Sequence, residues 1–141
     1  MPRGMWVYDP HHGGKKIPDA VKVRATRRIL DCAEEHFAGR YTRIDVRYRG
    51  AFCYIDAYQE PELPPGFPWP GCTETPAEFL QRMRETPIHL CRLRFFGDEH
   101  NWSMAMYTYS GQRYEPSFFP TGVMTGTPED AFLLIASLYL S

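Results

Sequence analysis

The chain has 141 residues, a length that fits one domain, 1–141, and can bury a core. Aromatic residues make up 15% of it, which argues against intrinsic disorder. A net charge of −1 leaves no global field to draw it to DNA or to an anionic membrane, so any nucleic-acid reading must rest on a local patch.

Residues 1–17 read as irregular, with Asp9-Pro10 and Gly13-Gly14 as turn signals. The opening MPRGMWVYDP has no apolar segment of the secretory kind. No run reaches the ~18 apolar residues that span a bilayer. A cytoplasmic protein with no membrane partner is expected. Pro18-Asp19 then opens a helix. Val21, Ala25, Ile29, Cys32, Ala33 and Phe37 recur at helical spacing, and Gly39 supplies a stop.

The stretch RIDVRYRGAFCYIDAY, Arg43 to Tyr58, reads as a hairpin. With Arg49-Gly50 as its loop, Tyr48 faces Ala51, and parity sorts the rest. Ile44, Val46, Tyr48, Ala51, Cys53, Ile55 and Ala57 share an apolar face. Arg43, Asp45, Arg47, Phe52, Tyr54, Asp56 and Tyr58 share the other. In that register Arg43 faces Asp56.

Residues 59–75 hold five prolines and two glycines and read as a surface loop or lid, with Phe67 and Trp69 pinning it to the body. Thr75-Pro76-Ala77-Glu78 is a capping-box signal, so a short helix runs to about Glu85. A second hairpin, Ile88–Phe96 and Trp102–Tyr109, closes through a four-residue loop, Asp98 to Asn101. Cys91, Leu93 and Phe95 then share a face with Trp102, Met104 and Met106. Leu90, Arg92, Arg94 and Phe96 share the opposite face with Ser103, Ala105, Tyr107 and Tyr109, and Arg92 faces Tyr107. Arg113 to Glu115 can return as a short edge strand ended by Pro116. Thr127-Pro128 caps a last helix, apolar almost all round, which inserts into this fold or packs on a second copy. The fold class is α+β: an antiparallel sheet of four to five strands in two hairpins, with an N-terminal, a short middle and a C-terminal helix, the helices mainly on the apolar face.

The off-core face gathers Arg43, Arg47, Arg92 and Arg94 with Tyr54, Tyr58, Tyr107 and Tyr109. Guanidinium forks bind phosphate and carboxylate, and tyrosine rings stack on bases. Cross-strand pairing within an ordinary sheet would explain the same residues. The ribonucleoprotein signature, a basic residue then Gly-aromatic-Gly-aromatic, is absent. Lys15, Lys16, Lys22, Arg24, Arg27 and Arg28 crowd the start of the first helix and oppose its dipole. An anion near Gly13-Gly14 would suit them, and so would a solvated face with Arg27–Asp31 as an i,i+4 pair.

Cys32, Cys53, Cys72 and Cys91 lie about twenty residues apart with no close pair, so no zinc site is expected. Two disulfides are open by count. Cys53 and Cys91 fall at core strand positions. His11-His12 lack the neighbours that complete a metal site, and His89 and His100 read as a strand-start and a loop residue. Asp45 and Asp56 are a carboxylate pair on the off-core face, each near an arginine, which favours plain ionised carboxylates. No nucleophile elbow, phosphate loop or dinucleotide fingerprint occurs.

The string His11-His12-Gly13-Gly14 to Ile17-Pro18, the two hairpin strings and Tyr114-Glu115-Pro116 together resemble a small family of uncharacterised bacterial proteins over most of the chain. The resemblance implies a bacterial, cytoplasmic protein and carries over no activity, cofactor or site residue. The residues themselves favour a non-enzymatic binding module whose Arg/Tyr sheet face takes an anionic partner, a nucleic acid or an acidic peptide, with no cofactor. Two alternatives stay open. One is a structural or oligomeric protein with that face or the last helix buried on another copy. The other is a small enzyme with Asp45, Asp56 or Glu115 as acid-base groups near the proline-rich loop.

Overall fold

The structure, a computed structural model, describes residues 13–119 and 122–140. The first helix, α1 (Asp19–Phe37), follows an extended Pro18 and buries Val21, Ala25, Ile29, Cys32, Ala33 and Phe37, the predicted stripe. Gly39 follows at φ +81°, a left-handed conformation that glycine adopts without strain.

β1 (Arg43–Arg49) and β2 (Phe52–Tyr58) form the first hairpin. Its loop is Gly50-Ala51 and not Arg49-Gly50, because Arg49 pairs with Phe52. Gly50 has φ +59° at the first loop position, where a tight hairpin turn favours glycine. Arg43 consequently faces Tyr58 instead of Asp56, Asp45 faces Asp56, and Arg47 faces Tyr54. Partners have moved by two residues, and an even shift preserves parity. The apolar and polar faces are therefore those predicted.

Thr75 caps α2 (Pro76–Glu85) through a complete capping box: its Oγ1 accepts from the Glu78 N–H, and the Glu78 carboxylate accepts from the Thr75 N–H. Phe67 and Trp69 do hold the proline-rich segment, but to Phe79 of this helix rather than to the sheet, with ring centroids 5.0 Å and 6.3 Å away. Arg82 pairs with Glu74 and Arg84 with Glu60, so the excursion is stapled mainly to itself.

β3 (Ile88–Arg94) and β4 (Trp102–Thr108) form the second hairpin. Leu93 faces Met104, and Arg92 faces Ala105 instead of Tyr107. The chain leaves the sheet after Arg94, before Gly97 at φ +105°, so the loop is longer than predicted. One parity is overturned. Ile55 faces Cys91, but Asp56 faces His89, leaving Leu90 as the extra residue of a β-bulge. Leu90 is fully buried in the core cluster and does not join the arginine face.

β5 (Arg113–Ser117) runs through Pro116 rather than ending before it. It is an edge strand, where a missing N–H is tolerated. β6 (Thr125–Gly126), too short for any periodicity to announce, pairs with Trp102 and Ser103 on the same side of β4. α3 (Pro128–Tyr139) completes the chain. The sheet is antiparallel, ordered β1-β2-β3-β4-β5 with β6 beside β4.

α1 and α3 pack side by side on one face of the sheet. Phe132, Ile135 and Ala136 of α3 are buried against that face, so this helix inserts into its own fold. Phe37 and Phe132 meet edge-on at 5.9 Å. Trp102 is fully buried, and its indole N–H donates to the Glu99 carbonyl at 2.8 Å. The segment before α1 crosses the hairpin ends: the Lys15 N–H donates to the Phe95 carbonyl and the Ile17 N–H to the Gly50 carbonyl. A Cβ on Gly14 would lie 2.6 Å from the Phe95 oxygen, so only glycine permits this approach. No described helix is long and apolar enough to cross a membrane.

All four cysteines are free. Burial, helped by Glu129, Glu35 and Asp130, pushes the Cys32 thiol up to about 11. Burial pushes Cys53 up to about 12 and also raises Cys91. Only Cys72 is not buried. A thiol at about 11 is ~0.1% thiolate at pH 8, so an aromatic disulfide reagent should titrate one thiol rapidly and the other three only after denaturation. Rapid reaction of a second thiol would contradict this packing.

Candidate functional site

The face of the sheet opposite the two helices carries the residues of interest. Parity on β1 and β2 puts Arg43, Asp45, Arg47, Tyr54, Asp56 and Tyr58 there. β3 adds Arg92 and Arg94, β4 adds Tyr107, and β5 adds Tyr114, paired directly with Tyr107. Tyr109 lies just past β4, and its ring centroid is 4.9 Å from that of Tyr107.

The arginines divide into two kinds. Arg43 is exposed, its guanidinium 4.2 Å from the centre of the Tyr58 ring. Arg47 is half-exposed, 5.3 Å over the Tyr54 ring. Arg92 and Arg94 are buried, at 7% and 5% exposure, so they are not the open contact points that an exposed face requires. Arg92 lies between Phe52 and Tyr114 at 4.4 Å and 5.2 Å, and Arg94 sits 5.0 Å over Phe96. Flat guanidinium faces tolerate aromatic cover better than ammonium groups do. Burial pulls Arg92 below the usual arginine range, against the opposing influence of Tyr54 and Tyr114. Both buried arginines line a hollow of about 70 Å³ with Ser103, Pro116 and Ser117.

The rings form a continuous layer. Tyr54 meets Tyr114 at 5.6 Å, and Tyr114 meets Tyr107 at 5.1 Å, both edge-on. Tyr54, Tyr58 and Tyr107 are partly exposed, and Tyr109 is 49% exposed. Burial raises the Tyr114 hydroxyl above its ordinary value, with Asp56 adding to the effect.

Under the layer sits a carboxylate, Asp56, only 3% exposed. One oxygen accepts from Arg47 at 2.7 Å, and the other lies 2.9 Å from His89 Nδ1. The imidazole packs against Tyr107 at 4.8 Å and Tyr109 at 6.4 Å. The backbone N–H of His89 donates to the Tyr109 hydroxyl at 2.9 Å. His89 is the residue that sequence parity missed. Its signal was the adjacent apolar pair Leu90-Cys91, which cannot both face the core in an unbroken strand. The bulge resolves that conflict and delivers His89 to Asp56.

Of the other candidates, Asp45 lies 3.7 Å from Arg47, and Glu115 lies 3.2 Å from Arg113. The hollow beside the proline-rich segment is lined by Gln59, Glu60, Pro61, Thr86 and Ile88, among others, and reaches none of Asp45, Asp56 and Glu115. Two cations of α1, Arg24 and Arg28, are tertiary tethers. Arg24 grips Glu99 with two hydrogen bonds. Arg28 bridges Glu129, the Glu99 carbonyl and His100. Lys22 pairs with Asp19 at 3.5 Å. His11-His12 lie outside the described residues. Among the described residues no three His, Cys, Asp or Glu side chains gather as metal ligands.

Comparison of the chain with protein-family models, with curated proteins and with solved structures finds no match in any of the three.

Removing one partner of a buried ion pair is costly chiefly through the charge it strands. Arg47 is half-exposed and can be hydrated if Asp56 is lost, whereas Asp56 cannot if Arg47 is lost. Arg47→Ala should therefore lower stability by about 3 kcal/mol, and Asp56→Ala by about 1–2 kcal/mol. Urea unfolding of both variants measures the order, and the reverse order would refute the burial assigned to Asp56.

Proposed function

We propose that this chain is a non-enzymatic binding module whose Arg/Tyr sheet face takes single-stranded nucleic acid. The observation that carries the reading is a layer of rings, the partly exposed Tyr54, Tyr58 and Tyr107 and the half-exposed Tyr109, edged by the exposed guanidinium of Arg43 and the half-exposed one of Arg47. Rings of this kind stack on any base, and flanking cations track the phosphates. Arg92 and Arg94 act from beneath: they hold the rings and add positive potential without touching the ligand. Arg49, exposed at the hairpin tip on the same face, extends the cationic margin. An acidic peptide would use the arginines and leave the rings idle, which is why the nucleic acid is the better fit.

The fold supplies the rigidity that stacking requires. Each ring is braced by a neighbour or by a guanidinium, so little side-chain freedom remains to be lost on binding. Asp56 holds Arg47 and His89 in place and keeps part of the face neutral.

Fluorescence anisotropy with a labelled pool of random-sequence oligonucleotides tests the reading. Single strands should bind, with affinity falling steeply as salt rises, and the same sequences as duplex should bind more weakly. Tyr109→Ala should weaken binding about tenfold, within the ~1–3 kcal/mol typical of one stacked base. Arg43→Ala should flatten the salt slope by about 0.7. Absence of binding at low salt, salt-insensitive binding, or preference for a polyglutamate peptide would overturn the proposal.

A further inference from the structure

Among the described residues β1 is an outer strand of the sheet, and no described strand pairs with its outer edge. The Phe95 N–H donates to the Ala51 carbonyl at 2.9 Å, continuing a ladder in which Cys53 faces Leu93 and Ile55 faces Cys91. Residues of an antiparallel strand bond alternately to the neighbour on either side. Odd residues of β2 therefore bond β3, and even residues bond β1. By the same alternation the amides of Ile44, Val46 and Tyr48 point away from the sheet. Among the described residues no loop or cap hydrogen bond reaches them. Their side chains are only partly buried, while Ala57, Ile55 and Cys53 opposite them are fully buried.

α1 borders this edge. The Tyr48 hydroxyl donates to the Lys22 carbonyl at 3.0 Å and lies 2.8 Å from Thr26 Oγ1. Val23 and Leu30, on the Thr26 flank of the helix, are 67% and 40% exposed. Arg27 and Asp31 are exposed beside them, and the whole set lines one shallow groove.

We propose that a second copy of this chain occupies the edge, with β1 pairing antiparallel to its counterpart about a two-fold axis through Val46. Charge favours a second copy as the occupant, and charge together with the three outward amides favours one register. With the axis at Val46, Asp45 of each copy faces Arg47 of the other, and Ile44 faces Tyr48. Moving the axis by one residue sets Asp45 against Asp45 or Arg47 against Arg47. The Val46 axis also joins all three outward amides of each strand to one another. The outermost Arg43–Arg49 pairs repel, but both residues are exposed to water there. Above the joint the two α1 helices run antiparallel, with Leu30 against its counterpart and Arg27 against Asp31 of the other copy. An acidic peptide in the same place would meet Asp45, so a strand of mixed charge is the better complement.

Sedimentation velocity of the full chain, from low to high micromolar concentration, tests this. The wild type should sediment as a dimer. Arg27→Asp sets aspartate against Asp31 of the other copy and should weaken the dimer at least about tenfold. The double variant Arg27→Asp/Asp31→Arg should restore it. Both positions are exposed on a helix, so these variants keep the fold. Val46→Pro removes an outward N–H that the isolated chain does not use, and should give monomer with an unchanged circular-dichroism spectrum. A wild type that is monomeric throughout would overturn the proposal, as would a dimer indifferent to Arg27→Asp and Val46→Pro. Oligonucleotide binding plays no part in the readout, so the result stands apart from the function proposed above.

Discussion

A β-strand turns alternate side chains to opposite faces, and here that alternation serves two chemistries at once. One face of each strand must be apolar enough to seat α1 and α3. The other must carry guanidinia, phenols and a carboxylate in one plane. Both demands are met with a single departure from strict alternation, at Leu90. Without the bulge, Asp56 would lie opposite Leu90, and His89 would point at the core. With it, Leu90 joins the core, Ile88 packs against it, and His89 reaches Asp56. The bulge therefore holds both layers together.

The polar layer is built in depth. Asp56, Arg92 and Arg94 are buried, and tyrosines with the ends of Arg43 and Arg47 lie above them. Burying charge is unfavourable unless it is matched. Asp56 is matched by Arg47 and His89, and Arg92 by the faces of Phe52 and Tyr114 and the Tyr54 hydroxyl. Aromatic cover suits arginine because its charge is spread over a plane and weakly hydrated. Lysine at 92 would present a compact, strongly hydrated charge to the same rings. This is why a face rich in cations can also be closely packed.

Much of this was legible in the residue order, for a definable reason. Parity depends only on odd and even positions, so an error of two residues in each hairpin register left the faces intact. Helix α1 was legible because its apolar spacing has a single solution, and α2 and α3 because Thr-Pro caps announce them. The exposure of individual arginines was not legible. Arg43 and Arg92 share a face, but one lies on an outer strand and the other in the middle of the sheet, and strand order is a tertiary property. The Asp56–His89 contact was hidden because a bulge is a local exception to the rule used to find faces. The tethers of Arg24 and Arg28 were hidden because Glu99 and Glu129 are distant in the chain. β6 was hidden because two residues carry no period.

Pairing at the outer edge of β1 and the aromatic face are geometrically compatible. A two-fold axis through Val46, perpendicular to the sheet, keeps each face on its own side. Pairing across it sets two Arg/Tyr layers side by side in one plane and two α1 helices side by side on the other. The arginines of β1 then have distinct duties. Arg47 holds Asp56 within its own chain and, in the proposed dimer, would face Asp45 across the joint, while Arg43 and Arg49 would remain at the margin. Exposed cations on an outer strand also discourage open-ended strand addition, because most registers set like charges together. In the proposed dimer the two polar faces would form one longer surface, which is what the proposed single-stranded ligand would need.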